Sequence, residues 1–345
     1  MTETLRLSVW IPTYNRLPSL RQSLPLLLPQ LTPECELVIL DNASDQEVAS
    51  GIQDLITGFD VCPVRVVRSP VNIGGNPNIL RCLEQARGDW IWILGDDDLP
   101  MPGAVASILK ETGESPDLTL INFVTFCLEL KGCRKESVVT EGMDGLVQTL
   151  DSYSNLLFIS ASVFNRRKIE KYIDQAYWYV PSCASHLALL LIVFRAQGGK
   201  VKFSATKIID LQLEQMTWNR RGVTFYIQKL LELIPDRRMR TLWFQKSLPA
   251  LPAQLPGPVQ ILKIRLGSGK REDLVDDLEL ASYLNHRVSG LRFKTFLIRV
   301  IAALPDFLLC PLRFALPWAR RLTGKHLTLI EDYNLVQARA NDIRK

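Results

Sequence analysis

The sequence predicts an α/β fold in which a mainly parallel β-sheet is sandwiched by helices, with a helical extension after it. Strongly apolar segments alternate with segments whose apolar residues recur at helical spacing, and this β-α-β-α order is typical of a parallel sheet. One segment, 90–94, is apolar without alternation and is therefore predicted to be a strand buried on both faces. It runs into Gly95 and the three acids Asp96 to Asp98, at the strand end where ligands bind in open α/β sheets.

Each strand is predicted from a short apolar run, and each helix from apolar residues three or four positions apart. Turn-forming residues separate them, and Ser44 or Asp45 can cap the helix after the second strand. The predicted strands are 5–12, 36–40, 64–68, 90–94, 117–124 and 156–164, with short strands at 200–203 and 207–209. The predicted helices are 17–31, 46–57, 78–87, 103–112, 142–151, 187–196, 221–246 and 271–286.

The net positive charge of the chain comes from its C-terminal segment. The net charge is +5, and residues 286–345 contain eleven Lys or Arg and four Asp or Glu, a net of +7 that leaves −2 for the rest. A near-neutral body argues against nucleic-acid binding, and a basic tail favours an anionic surface. We predict an α/β domain at 1–222, a helical extension at 223–286 and a basic, apolar tail at 287–345.

The tail is apolar but is interrupted by charges and prolines, so it has no run of about twenty uncharged apolar residues that could span a membrane. Short apolar helices edged by Arg, Lys and Trp suit a membrane interface, and we expect peripheral contact with an anionic membrane surface. The alternative is a helical hairpin packed on the body. The seven cysteines include no CxxC pair, which favours reduced thiols. The N-terminus shows no secretory signal. Together these features predict a cytoplasmic location.

Polar residues follow four of the predicted strands, and the carboxyl ends of parallel strands meet at one edge of a sheet. An aromatic ring there can stack on a base, a lone carboxylate can accept hydrogen bonds from a base, and adjacent carboxylates can hold Mg²⁺ or Mn²⁺ against a diphosphate. For the acids, a turn without any ligand is the alternative. The sequence has neither GxxxxGK[ST] nor GxGxxG after the first strand, which excludes a P-loop NTPase and disfavours a dinucleotide-binding Rossmann site. The residues are Thr13-Tyr14-Asn15, Asp41, the loop 72–78, and Asp96, Asp97 and Asp98.

These four motifs, taken in order, resemble those of family 2 glycosyltransferases with the GT-A fold. The Asp-Asn-x-Ser and Leu-x-Asp-Asp-Asp patterns are similar to those of abequosyltransferase-like enzymes of bacterial O-antigen assembly. The resemblance covers 5–125 clearly and 155–220 weakly, and it implies a mixed, mainly parallel sheet and a nucleotide-sugar donor bound with Mg²⁺ or Mn²⁺. The matching runs are Ile11-Pro12-Thr13-Tyr14-Asn15-Arg16, Val38-Ile39-Leu40-Asp41-Asn42-Ala43-Ser44-Asp45, Asn72-Ile73-Gly74-Gly75-Asn76 and Gly88-Asp89-Trp90-Ile91-Trp92-Ile93-Leu94-Gly95-Asp96-Asp97-Asp98.

The resemblance also implies roles for the matching residues. Asp41 would contact the base, with Tyr14 beside it. Asp96 would hold the ribose and Asp97 would hold the metal. We further expect Asp98 to hold the metal with Asp97 and to serve in catalysis. The acid motif of the family usually begins where this chain has Gly95, so the role of each acid is open by one residue. The other residues implied in donor binding are Pro12, Asn15, Asn72, Gly74 and Asn78.

His186 is the candidate catalytic base. An inverting transferase needs a base that deprotonates the acceptor hydroxyl, and the Glu-Asp pair that the family usually places after the strand matching 156–164 is absent from this sequence. Ser185-His186 stands at that place, and an imidazole has a suitable ordinary pKa. The alternative for His186 is a hydrogen-bonded core histidine.

The sequence therefore predicts a metal-dependent hexosyl- or deoxyhexosyltransferase of bacterial surface polysaccharide biosynthesis. It would move a sugar from a nucleotide-sugar donor to a lipid-linked glycan acceptor at the inner membrane. Two alternatives stay open. A nucleotidyltransferase shares the sheet and the acids but needs a Gly-rich basic signature after the first strand. A non-catalytic sugar-binding protein with a decayed site is the other, because the Glu-Asp pair is missing.

Overall fold

The computed structural model describes residues 5–125, 134–210 and 228–247, together with eight single positions between 262 and 311. The chain divides into two compact units, Met1–Pro252 and Ala253–Lys345. The predicted domain boundaries after 222 and after 286 lie outside the described residues and stay predictions. Among the helices of the described residues, none is both long enough and apolar enough to cross a membrane.

Eight strands of the first unit form one mixed sheet within the described residues, in the order β3-β2-β1-β4-β8-β6-β9-β7. Parallel pairing joins β1 to β2 and β4, β2 to β3, and β6 to β9, whereas β8 is antiparallel to β4 and β6, and β7 is antiparallel to β9. The predicted mixed, mainly parallel sheet is confirmed. The strands are β1 (Leu7–Thr13), β2 (Cys35–Asp41), β3 (Val64–Arg68), β4 (Trp90–Ile93), β5 (Leu99–Pro100), β6 (Leu120–Val124), β7 (Val138–Glu141), β8 (Ser162–Asn165), β9 (Lys200–Lys207) and β10 (Ile209–Asp210), of which β5 and β10 pair separately.

Helices cover both faces of the sheet. Val9 and Ile11 of β1 share a core cluster with apolar residues of the first and fifth helices, while the buried Trp10 points to the opposite face because side chains alternate along a strand. The fourth helix packs on β1 and β4 and against the tenth helix. The helices are α1 (Leu17–Leu27), α2 (Val48–Gly51), α3 (Gln53–Ile56), α4 (Gly75–Gln85), α5 (Ala104–Glu114), α6 (Gly142–Thr149), α7 (Tyr153–Leu157), α8 (Arg166–Ile169), α9 (Ile173–Tyr177), α10 (Ser185–Gln197) and α11 (Arg237–Ser247).

The run 156–164 was wrongly predicted as one strand. Its first residues end α7, Ile159–Ala161 form a 3-10 turn, and the strand begins only at Ser162. The side chain of Ser152 caps α7 by accepting a hydrogen bond from the Asn155 backbone N–H at 3.0 Å. A short apolar run is buried equally well as helix or as strand, so its composition does not separate the two.

Four other predicted elements differ from the structure. The predicted helix 46–57 divides at Ile52 into α2 and α3, and the two short strands near 200–209 are β9 followed by β10. The described part of the predicted helix 221–246 is a 3-10 helix, Gln228–Leu233, and then α11. Pro235 lies between them and has no N–H for a continuing helix. The predicted helix 271–286 lies outside the described residues.

Candidate active site

The four segments predicted to meet at one edge of the sheet do lie together. Thr13, at the end of β1, donates from Oγ1 to Asp96 Oδ2 at 2.7 Å, which joins the first segment to the acids after β4. Asn42, after β2, donates from Nδ2 to Asn72 Oδ1 at 2.8 Å, which joins the loops after β2 and β3. These contacts follow from the parallel order of β3, β2, β1 and β4.

The loop after β1 is fastened to the loop after β2. Asn15 has a left-handed backbone with φ 55°, and its backbone N–H donates to Ser44 Oγ at 2.9 Å. Its side chain donates to Asp45 Oδ2 at 2.9 Å and accepts from the Asp45 N–H at 2.7 Å. This pairing holds the left-handed turn in place. Tyr14 is 43% exposed, and Pro12 is partly buried at the end of β1.

Asp41 ends β2 with its side chain only 1% exposed. Its Oδ1 accepts a hydrogen bond from the Ser44 N–H at 2.9 Å, and its Oδ2 accepts one from Arg68 at 2.6 Å. Arg68 also donates to the Ser44 carbonyl at 2.6 Å. Each carboxylate oxygen keeps a second lone pair, so Asp41 can accept one further bond at each oxygen.

The loop after β3 is arranged by its asparagines. Asn72 Oδ1 accepts from the Gly74 N–H at 2.8 Å, and Gly74 has φ 87°, a left-handed conformation that glycine adopts without strain. Asn78, in the first turn of α4, is 2% exposed and donates to the Leu40 carbonyl at 3.5 Å. Among the described residues, nothing donates to its Oδ1. This loop therefore lies against Asn42, in the loop after β2.

The acids form a tight turn, in which the Asp98 N–H donates to the Gly95 carbonyl at 3.1 Å. Asp96 and Asp98 are buried, whereas the side chain of Asp97 is 44% exposed. Burial raises the pKa of Asp96 to about 6, against hydrogen bonds from Thr13 and Arg16. Burial also raises the pKa of Asp98 to about 7, against a hydrogen bond from Ser160 and with the charges of the other two acids adding to the rise.

Arg16 brings a positive charge to these acids from the start of α1. Its Nη1 lies 3.3 Å from Asp96 Oδ1 and also bonds to Asp97 Oδ2. Carboxylate oxygens are the ligands that Mg²⁺ and Mn²⁺ prefer, and buried carboxylates that repel one another are stabilised by a cation. The acid turn therefore fits a divalent ion chemically. In the described part of the chain, no three His, Cys, Asp or Glu side chains are already gathered around one point.

His186 lies in the first turn of α10 and is 5% exposed. Its Nε2 is 2.8 Å from the Leu157 carbonyl, so Nε2 carries the proton and donates it. Nδ1 is buried and meets no partner among the described residues. Burial lowers the pKa of His186 to about 4. These contacts favour the core histidine over the catalytic base, and the base role stays an untested prediction.

Three residues of the site were not selected from the sequence. Arg68, at the end of β3, is half-exposed and pairs with Asp41. Arg16 adjoins the Thr-Tyr-Asn motif, and its charge beside three acids is a signal that could have found it. Ser160, which donates to Asp98 Oδ2 at 2.5 Å, gives no such signal, because it lies far from the acids in sequence.

Comparison with known proteins identifies relatives of this chain. The family model described as glycosyl transferase family 2 matches residues 8–183. Abequosyltransferase RfbV of Salmonella typhimurium is 30% identical over 259 residues, which cover 70% of this chain and 76% of that protein. Two further curated relatives align over only 44% and 31% of their own length.

Two solved structures show the same fold. TarS of S. aureus superposes with a TM-score of 0.61 and 13% identity, covering 93% of each chain. The mannosyltransferase PcManGT of Pyrobaculum calidifontis superposes with a TM-score of 0.52 and 15% identity, covering 89% of this chain and 88% of that one. At these identities the likeness concerns the fold alone.

Proposed function

The chain belongs to glycosyltransferase family 2, and on that premise we propose that it transfers a sugar from a nucleotide-sugar donor to a lipid-linked glycan acceptor with Mg²⁺ or Mn²⁺. The step would belong to bacterial surface polysaccharide biosynthesis of the O-antigen type. The observation that carries this proposal is the meeting of four strand-end segments around the acid turn. TarS has been solved with UDP-GlcNAc and PcManGT with GDP-Man and Mn²⁺, which supports a nucleotide-sugar donor and a metal ion.

We assign the nucleotide to the side of the site formed by β1 and β2. The exposed ring of Tyr14 can stack on a base, and Asp41 can accept hydrogen bonds from that base through its remaining lone pairs. Arg68 and Ser44 fix the direction of the Asp41 carboxylate. The other residues assigned to the donor pocket are Pro12, Asn15, Asn72, Gly74, Asn78 and, for the ribose, Asp96.

Asp97 and Asp98 are the proposed metal ligands. When bound, the ion would neutralise the charge that develops on the leaving diphosphate. Arg16 supplies a further positive charge at Asp96 and Asp97, on the side where the diphosphate would lie. The carboxylate of Asp98 is held by Ser160, so it is already oriented before a donor arrives. Family membership favours glycosyl transfer over the nucleotidyl transfer that the sequence left open.

The assignment of the metal ligands predicts that Asp97→Ala abolishes both donor hydrolysis and sugar transfer. Loss of a ligand to the ion that stabilises the leaving group should lower kcat by at least about 100-fold. The control is Asp54→Ala, which removes a 60% exposed carboxylate that pairs with Arg21 away from the acid turn. Turnover of purified Asp97→Ala equal to that of the Asp54→Ala control would contradict the metal assignment.

Calorimetry with UDP, GDP, CDP and TDP, each with and without Mn²⁺, tests the donor class independently of the acceptor. We expect one nucleoside diphosphate to bind best, and to bind more tightly with Mn²⁺. If none binds under either condition, the site is a decayed one and the catalytic proposal is wrong. Mass spectrometry of products from a panel of nucleotide-sugars then identifies the sugar.

A further inference from the structure

The carboxylate of Asp98 folds back over Gly95. A Cβ atom placed on Gly95 would lie 2.5 Å from Asp98 Oδ2 and 3.3 Å from Asp97 Oδ1, and the first distance is closer than Cβ atoms approach any neighbour. Gly95 is not among the glycines with positive φ, so its backbone conformation would accept other residues. The missing side chain at position 95 therefore serves to make room for the Asp98 carboxylate.

The hydroxyl of Ser160 holds that carboxylate from the other side. Ser160 Oγ accepts a hydrogen bond from the Gly95 N–H at 2.8 Å and donates one to Asp98 Oδ2 at 2.5 Å. The residue is fully buried. Its own carbonyl accepts a hydrogen bond from Trp92 Nε1 at 2.9 Å. Because Trp92 belongs to β4, the strand that leads into the acid turn, Ser160 is fixed relative to both ends of the turn.

We propose that Ser160 is a positioning residue that, together with the space at Gly95, sets the Asp98 carboxylate in the orientation in which it binds the divalent ion. This inference rests on the proposed function. The bond from Ser160 occupies Oδ2, and no described residue donates to Oδ1, so Oδ1 stays available to the ion. Groups that hydrogen-bond to a metal ligand and orient it contribute to metal affinity, and their loss commonly weakens metal binding by about 10- to 100-fold.

The experiment compares binding of Mn²⁺ alone by the full-length wild-type protein and by variants. Ser160→Ala removes the hydroxyl, and Gly95→Ala adds the Cβ that displaces Asp98. The matched control is Ser162→Ala, because Ser162 is also buried but its hydroxyl accepts from Asn122 at 3.2 Å and does not contact the acids. Free Mn²⁺ is followed by electron paramagnetic resonance. Nucleoside diphosphate binding in EDTA, measured by calorimetry, reports whether each variant keeps its fold.

We expect Ser160→Ala to raise the Kd for Mn²⁺ by about 10- to 100-fold, with nucleotide binding in EDTA unchanged and Ser162→Ala close to the wild type. Gly95→Ala should have a similar effect, and the double variant should be no worse than the single ones, because both changes displace one carboxylate. Wild-type affinity for Mn²⁺ in Ser160→Ala, or an equal loss in Ser162→Ala, would overturn the inference alone. A wild-type protein that binds no Mn²⁺ would overturn the metal proposal and this inference together.

Discussion

At the scale of single residues, burial decides what the titratable groups around the site can do. Burial favours the neutral form of a titratable group, so it raises the pKa of a buried acid and lowers the pKa of a buried histidine. The pKa of Asp98 is raised to about 7 and that of His186 is lowered to about 4, each chiefly by loss of contact with water. A hydrogen bond from Ser160 and the charge of Arg16 stabilise the carboxylate form of Asp98. By contrast, the partner of His186 among the described residues is the Leu157 carbonyl.

His186 should make the protein sensitive to mild acid. The folded state binds a proton on His186 only near pH 4, whereas the unfolded chain binds it near the ordinary pKa of 6.5. Its contribution to stability is therefore constant above pH 6.5 and is lost as the pH falls towards 4, by about 2 to 3 kcal/mol at pH 4.5. His186→Gln keeps a donor for the Leu157 carbonyl without a titrating group, so urea unfolding should show a smaller loss of stability between pH 7 and 4.5.

The activity of the same variant separates the two roles of His186. A core histidine predicts that His186→Gln keeps transfer within about tenfold of the wild type and leaves the pH profile of kcat/KM unchanged. A general base predicts a loss of about 10²- to 10⁴-fold and the disappearance of one limb of that profile. The second result would restore His186 as the base and contradict the structural role.

The residue types of the site were predictable from the sequence, but their partners were not. Tyr14, Asp41 and the three acids lie at or just after strand ends. The carboxyl ends of parallel strands meet at one edge of the sheet, whichever side chains pack there. The partners of those residues depend on the register of antiparallel β8 and on side-chain directions, which no local pattern records. Ser160 reaches Asp98 only because β8 runs beside β4, a pairing between segments about 70 residues apart along the chain.

At the scale of elements, the loops at the sheet edge are held by one another rather than by local propensity. Ala43 has a left-handed backbone with φ 64°, which costs a residue with a Cβ about 1 kcal/mol or more. The neighbours of Ala43 impose it, because Asn42 bonds to Asn72 and Ser44 bonds to both Asn15 and Asp41. The hydrogen bonds that join the three site loops therefore hold Ala43 in a strained backbone conformation.

That strain predicts that Ala43→Gly stabilises the protein. Glycine adopts positive φ freely, and the relief should exceed its added entropy in the unfolded chain, giving about 0.5 to 1 kcal/mol more stability. Ala49→Gly is the matched control, since Ala49 lies in α2 and a helical glycine costs about 1 kcal/mol. Urea unfolding midpoints should move in opposite directions. A downward shift in both variants would show that Ala43 is not strained.

The order of elements was predictable in the first half of the chain and less so after it. Four parallel strands with intervening helices carry a strong alternating signal, and their ends were placed within a few residues. The run 156–164 was predicted as one strand because a short apolar run does not distinguish helix from strand. The strand β8 lies at the end of that run, but its antiparallel direction has no sequence signal. The break at Pro235 was missed although proline has no N–H for a continuing helix.

At the scale of the whole molecule, the charge of the chain is unevenly distributed. Residues 286–345 carry +7 and the rest −2, so attraction to an anionic membrane would come from the tail and leave the near-neutral body unattracted. Each Lys or Arg near such a surface contributes about 1 kcal/mol, and insertion of apolar tail residues into the interface would add to the affinity. We propose peripheral membrane binding through 287–345.

This proposal predicts that the full chain sediments with vesicles containing anionic phospholipid and less with neutral ones. Replacing Arg320, Arg321 and Lys325 by Gln removes three tail charges and should weaken binding to anionic vesicles by at least about tenfold, with less dependence on salt. The control replaces the body residues Lys110, Lys171 and Arg237 by Gln, removing the same charge elsewhere. Equal loss in both triple variants would point to net charge alone. Undiminished binding of the tail variant would favour the hairpin packed on the body that the sequence also allowed.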